Sequence, residues 1–269
     1  MIVVTAASGA LGRIVVEQLL TRHPDRPVVA AVRDPGRAAD LAARGALVRR
    51  GDYDDPASLR DALRGAERLL LISSPVLDTE VRVRQHRAAI DAAVDAGVRA
   101  FAYTSFLGAD RGGDGPNAAH HATERALAGS GLPATILRHP FYTEAFVNPG
   151  LRDAVTSGTV THGTGGRGLN TALRADLAVA AATVLTSDEY LGRAYDLTGP
   201  LWTYQDLAAV LGELSGRPVE PVETTVAPPL GFLMQLAKAG LLERQTADLA
   251  ALLGRPPTPL RDAVAAALG

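Results

Sequence analysis

Thr5-Ala6-Ala7-Ser8-Gly9-Ala10-Leu11-Gly12 is the stretch that decides the fold. A short β-branched run, Ile2-Val3-Val4, precedes it. A segment with Leu11, Ile14, Val15 and Leu19 at helical spacing follows. Strand, turn of small residues and helix together open a βαβ unit. Ala6, Gly9 and Gly12 stand at i, i+3 and i+6. A dinucleotide-binding turn needs small residues at such points for a tight turn, for close approach of backbone to pyrophosphate, and for packing of helix on strand. Alanine holds the first point. One methyl forbids little there if φ is negative, so exchanging Ala6 for glycine is expected to be mild in either direction. The helix beginning near Ala10 turns its amides and partial positive charge toward the loop. An ordinary turn rich in small residues is the competing reading, and the place of this turn directly before an apolar helix weighs against it.

Outward from that loop, short apolar runs alternate with amphipathic ones. Strands are expected at 2–5, 27–32, 46–50, 68–73, 100–105 and 134–138. Helices are expected at 10–22, 35–44, 56–64, 79–97 and 117–129, the last approached through a loose stretch at 108–119. Pro56 sits in a first turn with Asp55 as cap. Such alternation predicts an α/β protein with a doubly wound parallel sheet of Rossmann type. Past Arg138 the rhythm breaks into turn-rich and glycine-dense segments. A helix near 174–187 is capped most simply by Asp176, a strand covers 194–199, and a helix follows Thr203 as cap. The remainder reads as helical with proline breaks. The expected division is a Rossmann domain at 1–150 and a smaller, mostly helical substrate-side lobe at 151–269, interleaved with the sheet edge.

Composition narrows the chemistry. The 269 residues carry a net charge of −2, which gives no electrostatic case for nucleic acid or an anionic membrane. Runs such as 177–185 are too short to span a bilayer. A strand starting at Ile2 leaves no room for a signal segment, so a cytoplasmic protein is expected. There is no cysteine, which removes thiol nucleophiles and Cys-based metal sites. Lys238 is the single lysine, so no P-loop is present. At the end of the second expected strand stand Arg33, Asp34 and Arg37. An arginine there suits a 2′-phosphate, and NADP(H) is the expected cofactor. The opposing reading gives Asp34 to a ribose and leaves Arg33 solvated.

The segments 5–12, 32–35, 51–55, 69–74, 101–105, 120–131, 135–146 and 174–185 together resemble the NmrA-like atypical short-chain dehydrogenases, and among them the NADPH-dependent quinone oxidoreductases of type 2. Order and spacing match from residue 2 to about 215. The resemblance implies that Ala6, Ala7, Ser8, Gly9, Ala10 and Leu11 wrap the pyrophosphate and that Arg33 meets the 2′-phosphate. It places Asp52 near the adenine, Ser73 and Ser74 beside the ribose and nicotinamide, and His139 and Pro140 near the nicotinamide ring. Ala6 departs from the family's first glycine, and Ala145 from its usual asparagine.

Ordinary members of the wider group use a Tyr-x-x-x-Lys pair. Met234 stands four residues before Lys238, so that pair is absent here. Hydride transfer to a quinone or similar conjugated carbonyl demands less of the protein: two planar rings must be oriented and water excluded. His120 and Tyr142 are the candidate proton donors, with His121 beside them. The bland readings are histidines on a helix surface, His120 paired with Glu124 at i, i+4, and Tyr142 as packing. No third ligand joins His120 and Glu124, so no metal is expected. The glycine-dense loop at 161–168 reads equally as substrate cover or flexible connector. The expected function is an NADPH-dependent reductase acting on a small molecule, with a homodimer allowed. An NADP(H)-sensing regulator without catalysis and a tailoring reductase of secondary metabolism remain as alternatives.

Overall fold

The computed structural model describes residues 1–112 and 115–269; Gly113 and Asp114, in the stretch expected to be loose, lie outside the described residues. Two units make up the chain. The first comprises Met1–His139 and Leu177–Asp196, the second Pro140–Asp176 and Leu197–Gly269. A single cut at residue 150 therefore misplaces the boundary. The chain leaves the first unit after His139 and returns, because its sheet takes its last strand from 194–196.

The first unit runs β1 (Ile2–Val4), α1 (Ala10–Arg22), β2 (Val28–Val32), α2 (Ala39–Ala43), β3 (Leu47–Arg50), α3 (Pro56–Leu63), β4 (Arg68–Leu71), α4 (Thr79–Asp95), β5 (Ala100–Phe106), α5 (Ala118–Gly129) and β6 (Ala134–His139). The seventh strand, Ala194–Asp196, pairs with β6. All pairings are parallel, in the order seventh strand, β6, β5, β4, β1, β2, β3. Every residue of β1 and β2 is buried, as expected of strands covered on both faces. The core includes Leu59 and Leu63 of α3, Leu69 and Leu71 of β4, and Phe101 and Tyr103 of β5. Asp55 accepts from Ala57 N and Ser58 N and so caps α3, as the sequence predicts.

The chain direction reverses between β1 and β4: from β1 it builds outward through β2 and β3, then returns to lay β4 on the other side of β1. Such a switch point leaves a crevice beyond the carboxyl ends of the strands, the usual ligand position in this architecture.

The second unit contains β7 (Phe141–Tyr142), α6 (Leu151–Ser157), β8 (Thr159–His162) and β9 (Leu169–Ala172). The helix α7 (Arg174–Thr186) leads back to the first unit, whose seventh strand is β10 (Ala194–Asp196). Then come β11 (Leu201–Trp202), α8 (Tyr204–Ser215), β12 (Glu220–Glu223), α9 (Leu230–Lys238), α10 (Asp248–Leu253) and α11 (Leu260–Leu268). Three strands form a small sheet in the order β11, β9, β7, and β12 pairs parallel with β8. β12 corrects the expectation of helix throughout the tail. Its Glu-Pro-Val-Glu sequence has no periodic signal, and its strand form comes from its partner β8. Thr203 caps α8 in a reciprocal capping box with Asp206.

Asp176 does not cap α7. The helix begins two residues earlier, and Glu144 Oε1 accepts the Arg174 amide at 3.0 Å. Asp176 is buried and accepts from Arg255 Nη2 at 2.6 Å and Thr258 N at 2.7 Å. The loop at 161–168 is pinned by two carboxylates: Gly165 N donates to Glu223 and Gly168 N to Glu243.

Candidate cofactor and active site

The loop after β1 is built as a cradle. A Cβ on Gly12 would lie 2.5 Å from Ala6 O and 2.7 Å from Ala7 Cα, so only glycine lets α1 pack this closely on the turn. Gly9 is looser, its Cβ position 3.2 Å from Ala6 O. Gly9 is the N-cap of α1 and supplies no side chain to the helix end. The first helical amides, from Ala10 to Gly12, have no helical acceptor and remain for a ligand. Ala6 has φ +48°, so the condition under which its methyl forbids little is not met. It is the one non-glycine residue with positive φ among the described residues. The turn needs the left-handed region where the family pattern has glycine, and alanine accepts it under strain.

Thr5 ties the two strands at the switch point. Its hydroxyl donates to Leu70 O at 3.1 Å and accepts from Ile72 N at 3.0 Å. The Tyr53 hydroxyl lies 2.6 Å from Thr5 Oγ1 and 2.5 Å from Ile72 O. The floor of the crevice is therefore held by side chains as well as by the sheet.

Arg33 follows β2 directly and is exposed, as is Arg37. Neither side chain carries an ion pair among the described residues. Asp34 accepts from Gly36 N at 3.0 Å and caps the short 3-10 turn Pro35–Ala38. That local task engages one Asp34 oxygen, while Arg33 and Arg37 are exposed. Asp52 has a local task too: its Oδ1 accepts from Asp54 N at 3.1 Å. Sequence reasoning passed over Arg13. Its Nε donates to Ser8 O at 3.1 Å, while its two terminal nitrogens reach Asp40 and the Arg37 carbonyl. The Arg13 guanidinium holds the Asp40 carboxyl below the usual range. An arginine one residue past the last glycine was the available sign.

Ser73 and Ser74 follow β4 and are anchored from behind. Ser74 is buried, its hydroxyl donating to Gln85 Oε1 at 2.5 Å. The Ser74 amide donates to His86 Nε2 at 2.9 Å, and Arg82 Nη2 donates to Ser73 Oγ at 2.8 Å. His86 therefore carries its proton on Nδ1, facing Thr123 Oγ1 at 2.8 Å. Burial pushes the His86 pKa down to about 3. Of these two serines, Ser73 alone is partly exposed; the Ser74 side chain is committed to the interior.

His120 lies on α5, 7% exposed, with Nδ1 at 2.9 Å from the buried Tyr103 hydroxyl. It is not a surface histidine and does not pair with Glu124. Glu124 instead accepts from Ser105 Oγ at 2.6 Å and from Arg138 Nε and Nη2 at 3.0 and 2.7 Å. Burial lowers the His120 pKa to about 3, and raises that of Tyr103 to about 12. His120 is thus neutral at pH 7. His121 meets the Ala109 carbonyl through Nδ1 at 2.7 Å. His139 ends β6, is 3% exposed, and has its pKa lowered to about 3 by burial. Pro140, buried, opens the second unit. Within that unit the Arg174 guanidinium lies 4.2 Å from the centre of the Tyr142 ring.

Among the described residues, no helix is long and apolar enough to cross a membrane. The model of a family described as NAD(P)H-binding matches residues 6–188. The chain is 38% identical to quinone oxidoreductase 2 of Escherichia coli, over 98% of this chain and 97% of that one. It is 32% identical to an NmrA-like family domain-containing oxidoreductase of Aspergillus flavus, over 97% and 92%. Among solved structures, the E. coli quinone oxidoreductase in complex with NADPH covers 100% of both chains at 37% identity and a TM-score of 0.88. The triphenylmethane reductase of a Citrobacter species, complexed with NADP(H), covers 99% of both at 36% and 0.93. A glycine cradle at the switch point of a doubly wound sheet, in a chain alike to these proteins from end to end, has one meaning: the chain belongs to the NAD(P)H-binding family, among its NmrA-like oxidoreductases.

Proposed function

We propose that this protein is an NADPH-dependent reductase that delivers hydride to a quinone or similar conjugated carbonyl. The observation that carries the reading is the cradle of Ala6–Gly12 with Arg33 exposed at the end of β2, in a chain 38% identical to quinone oxidoreductase 2. The residues fit the cofactor. A side chain on Gly12 would collide with the turn, the N-terminal end of α1 has no side-chain cap, and Arg33 is exposed with no ion pair among the described residues. Backbone amides of the loop would hold the pyrophosphate and Arg33 the 2′-phosphate. When bound, NADPH supplies the hydride.

The protein's own contribution is orientation and one hydrogen bond. A Tyr-x-x-x-Lys pair is absent, and the lone Lys238 sits half-exposed beside Glu223 in the second unit. His120 cannot serve as an imidazolium acid at pH 7, since burial holds it neutral. In the tautomer that accepts the Tyr103 hydroxyl proton at Nδ1, the ring would offer Nε2–H to oxygen charge developing on the substrate. A neutral donor suffices for a quinone, whose reduced anion is stabilised by aromaticity. Tyr142, its ring beside the Arg174 guanidinium, is the alternative donor. The reading carries a cytoplasmic location, where NADPH serves as reductant, and a homodimer as its assembly.

The test is steady oxidation of NADPH by the purified protein with a simple quinone. Turnover dependent on quinone is expected, with NADPH preferred to NADH. Tight NADPH binding without turnover on any quinone or conjugated enone would overturn the reductase and leave a cofactor sensor.

A further inference from the structure

We infer that Arg13 is a positioning residue for cofactor choice: it locks the segment bearing Arg33 and Arg37 to the glycine loop, so that the 2′-phosphate and the pyrophosphate are read by one rigid frame. The inference rests on the NADP(H) reading above. Three contacts of a single guanidinium carry it. Nε donates to Ser8 O, in the pyrophosphate loop, at 3.1 Å. One terminal nitrogen donates to the Arg37 carbonyl, in the 3-10 turn after Arg33. The other pairs with Asp40 in the first turn of α2. The loop after β1 and the segment after β2 are thereby joined through a side chain of α1.

An exposed ion pair alone would contribute little. The Arg13–Asp40 pair is partly exposed, at 31% and 56%. Its value here is geometric. The planar fork has donors in fixed directions, and it satisfies two backbone carbonyls and a carboxylate at once. Arg33 precedes, and Arg37 lies within, the four-residue turn Pro35–Ala38, which is fastened locally by the Asp34 cap and by the Arg37 amide donating to the Asp34 carbonyl. Without the clamp, that turn keeps its helical hydrogen bonds but loses its link to the phosphate loop. A 2′-phosphate must then order the segment on binding, and affinity falls by that ordering. NADH has no group to contact Arg33 and feels only the slackened Ser8 carbonyl.

The experiment measures Kd for NADPH and NADH, by titration of the full-length protein, in wild type, Arg13→Ala, Arg13→Lys and Arg33→Ala. Arg13→Ala should weaken NADPH about tenfold, the scale of one charge-assisted hydrogen bond. NADH should weaken by no more than about twofold, so discrimination drops. Arg13→Lys should behave like alanine, because an ammonium cannot span three acceptors. Equal losses for both cofactors would reduce Arg13 to a structural part of the loop and overturn the inference. So would wild-type discrimination in Arg13→Lys, which would make bare charge the cause. Arg33→Ala separates the premises: if it leaves NADPH unaffected, the NADP(H) reading itself falls. Retained NADH binding reports that each variant is folded.

Discussion

Ala6 shows what one methyl does at a turn that asks for glycine. A left-handed conformation costs an L-residue about 1–2 kcal/mol, whereas glycine loses about 0.5–1 kcal/mol more backbone entropy on folding than alanine. The difference favours glycine, so Ala6→Gly should stabilise the protein by about 0.5–1 kcal/mol. Thermal melting should show a rise of roughly 2–4 °C per kcal/mol at this size; a fall would mean that the methyl makes contacts worth more than the strain. His120 is the second residue to test. A histidine held neutral by burial has no titration near 6.5 to impose on the rate. His120→Ala should lower quinone reduction by at most about tenfold, and reduction of a poorly activated enone toward ~10²-fold, the scale of an oxyanion donor. Both wild-type profiles should lack a break from this group between pH 5 and 8. A wild-type rate that falls above pH 6.5, with the fall removed in His120→Ala, would restore the imidazolium acid. Neither residue's state was legible in the sequence. Spacing singled out Ala6 and a histidine pair drew notice to His120, but a positive φ comes from the closed turn, and neutrality comes from burial and the nearby Arg82 charge.

Elements were legible where a local pattern governs them. The predicted helix at 10–22 is α1 to the residue, and Asp55 and Thr203 cap as their positions suggest. β7, β9, β11 and β12 left no such trace. Each is two to four residues long and exists through its pairing, so no window of sequence carries its period. The same limit hid the polar couplings between elements. Glu124 was read as a partner for His120 on its own helix, but the stronger claim comes from another element, Arg138 on β6. Arg138 also faces Asp196 on β10 at 3.3 Å and Asp110 at 3.7 Å. One cation thus joins α5, β6 and β10, with Arg138 and Glu124 side chains only 13% and 12% exposed. Removing the cation leaves carboxylates close together and poorly hydrated. Arg138→Met should cost about 3–5 kcal/mol, and adding Glu124→Leu should recover part of the loss. Urea unfolding of the single and double variants checks this; a loss below about 1 kcal/mol for Arg138→Met would show that water already screens the cluster.

For the molecule as a whole, three buried histidines dictate the response to acid. His86, His120 and His139 each have a folded pKa near 3, against about 6.5 in an unfolded chain. Between those values the unfolded chain holds more protons than the folded one. Stability is therefore full above pH 6.5 and declines as pH falls toward 3, by up to about 1.4 kcal/mol per pH unit for each histidine. All three belong to the first unit. Denaturant unfolding at pH 7.5, 6 and 5 should show a steepening loss, with proton uptake on unfolding that approaches three. Equal stability at pH 7 and 5 would mean that the imidazoles are hydrated in the fold. The path of the chain between the two units has another consequence, and it concerns synthesis. β10 pairs with β6, Asp196 beside Arg138 across 58 positions of sequence. As the polypeptide leaves the ribosome, six strands can assemble while the seventh has yet to be translated. At about 5–20 residues per second, the bare edge of β6 stands open for several seconds, its unpaired amides and carbonyls a template for any neighbouring chain. The yield of native protein is then set by how quickly the ribosome traverses residues 140–196 and by how crowded the nascent chains are, independently of how stable the finished molecule is.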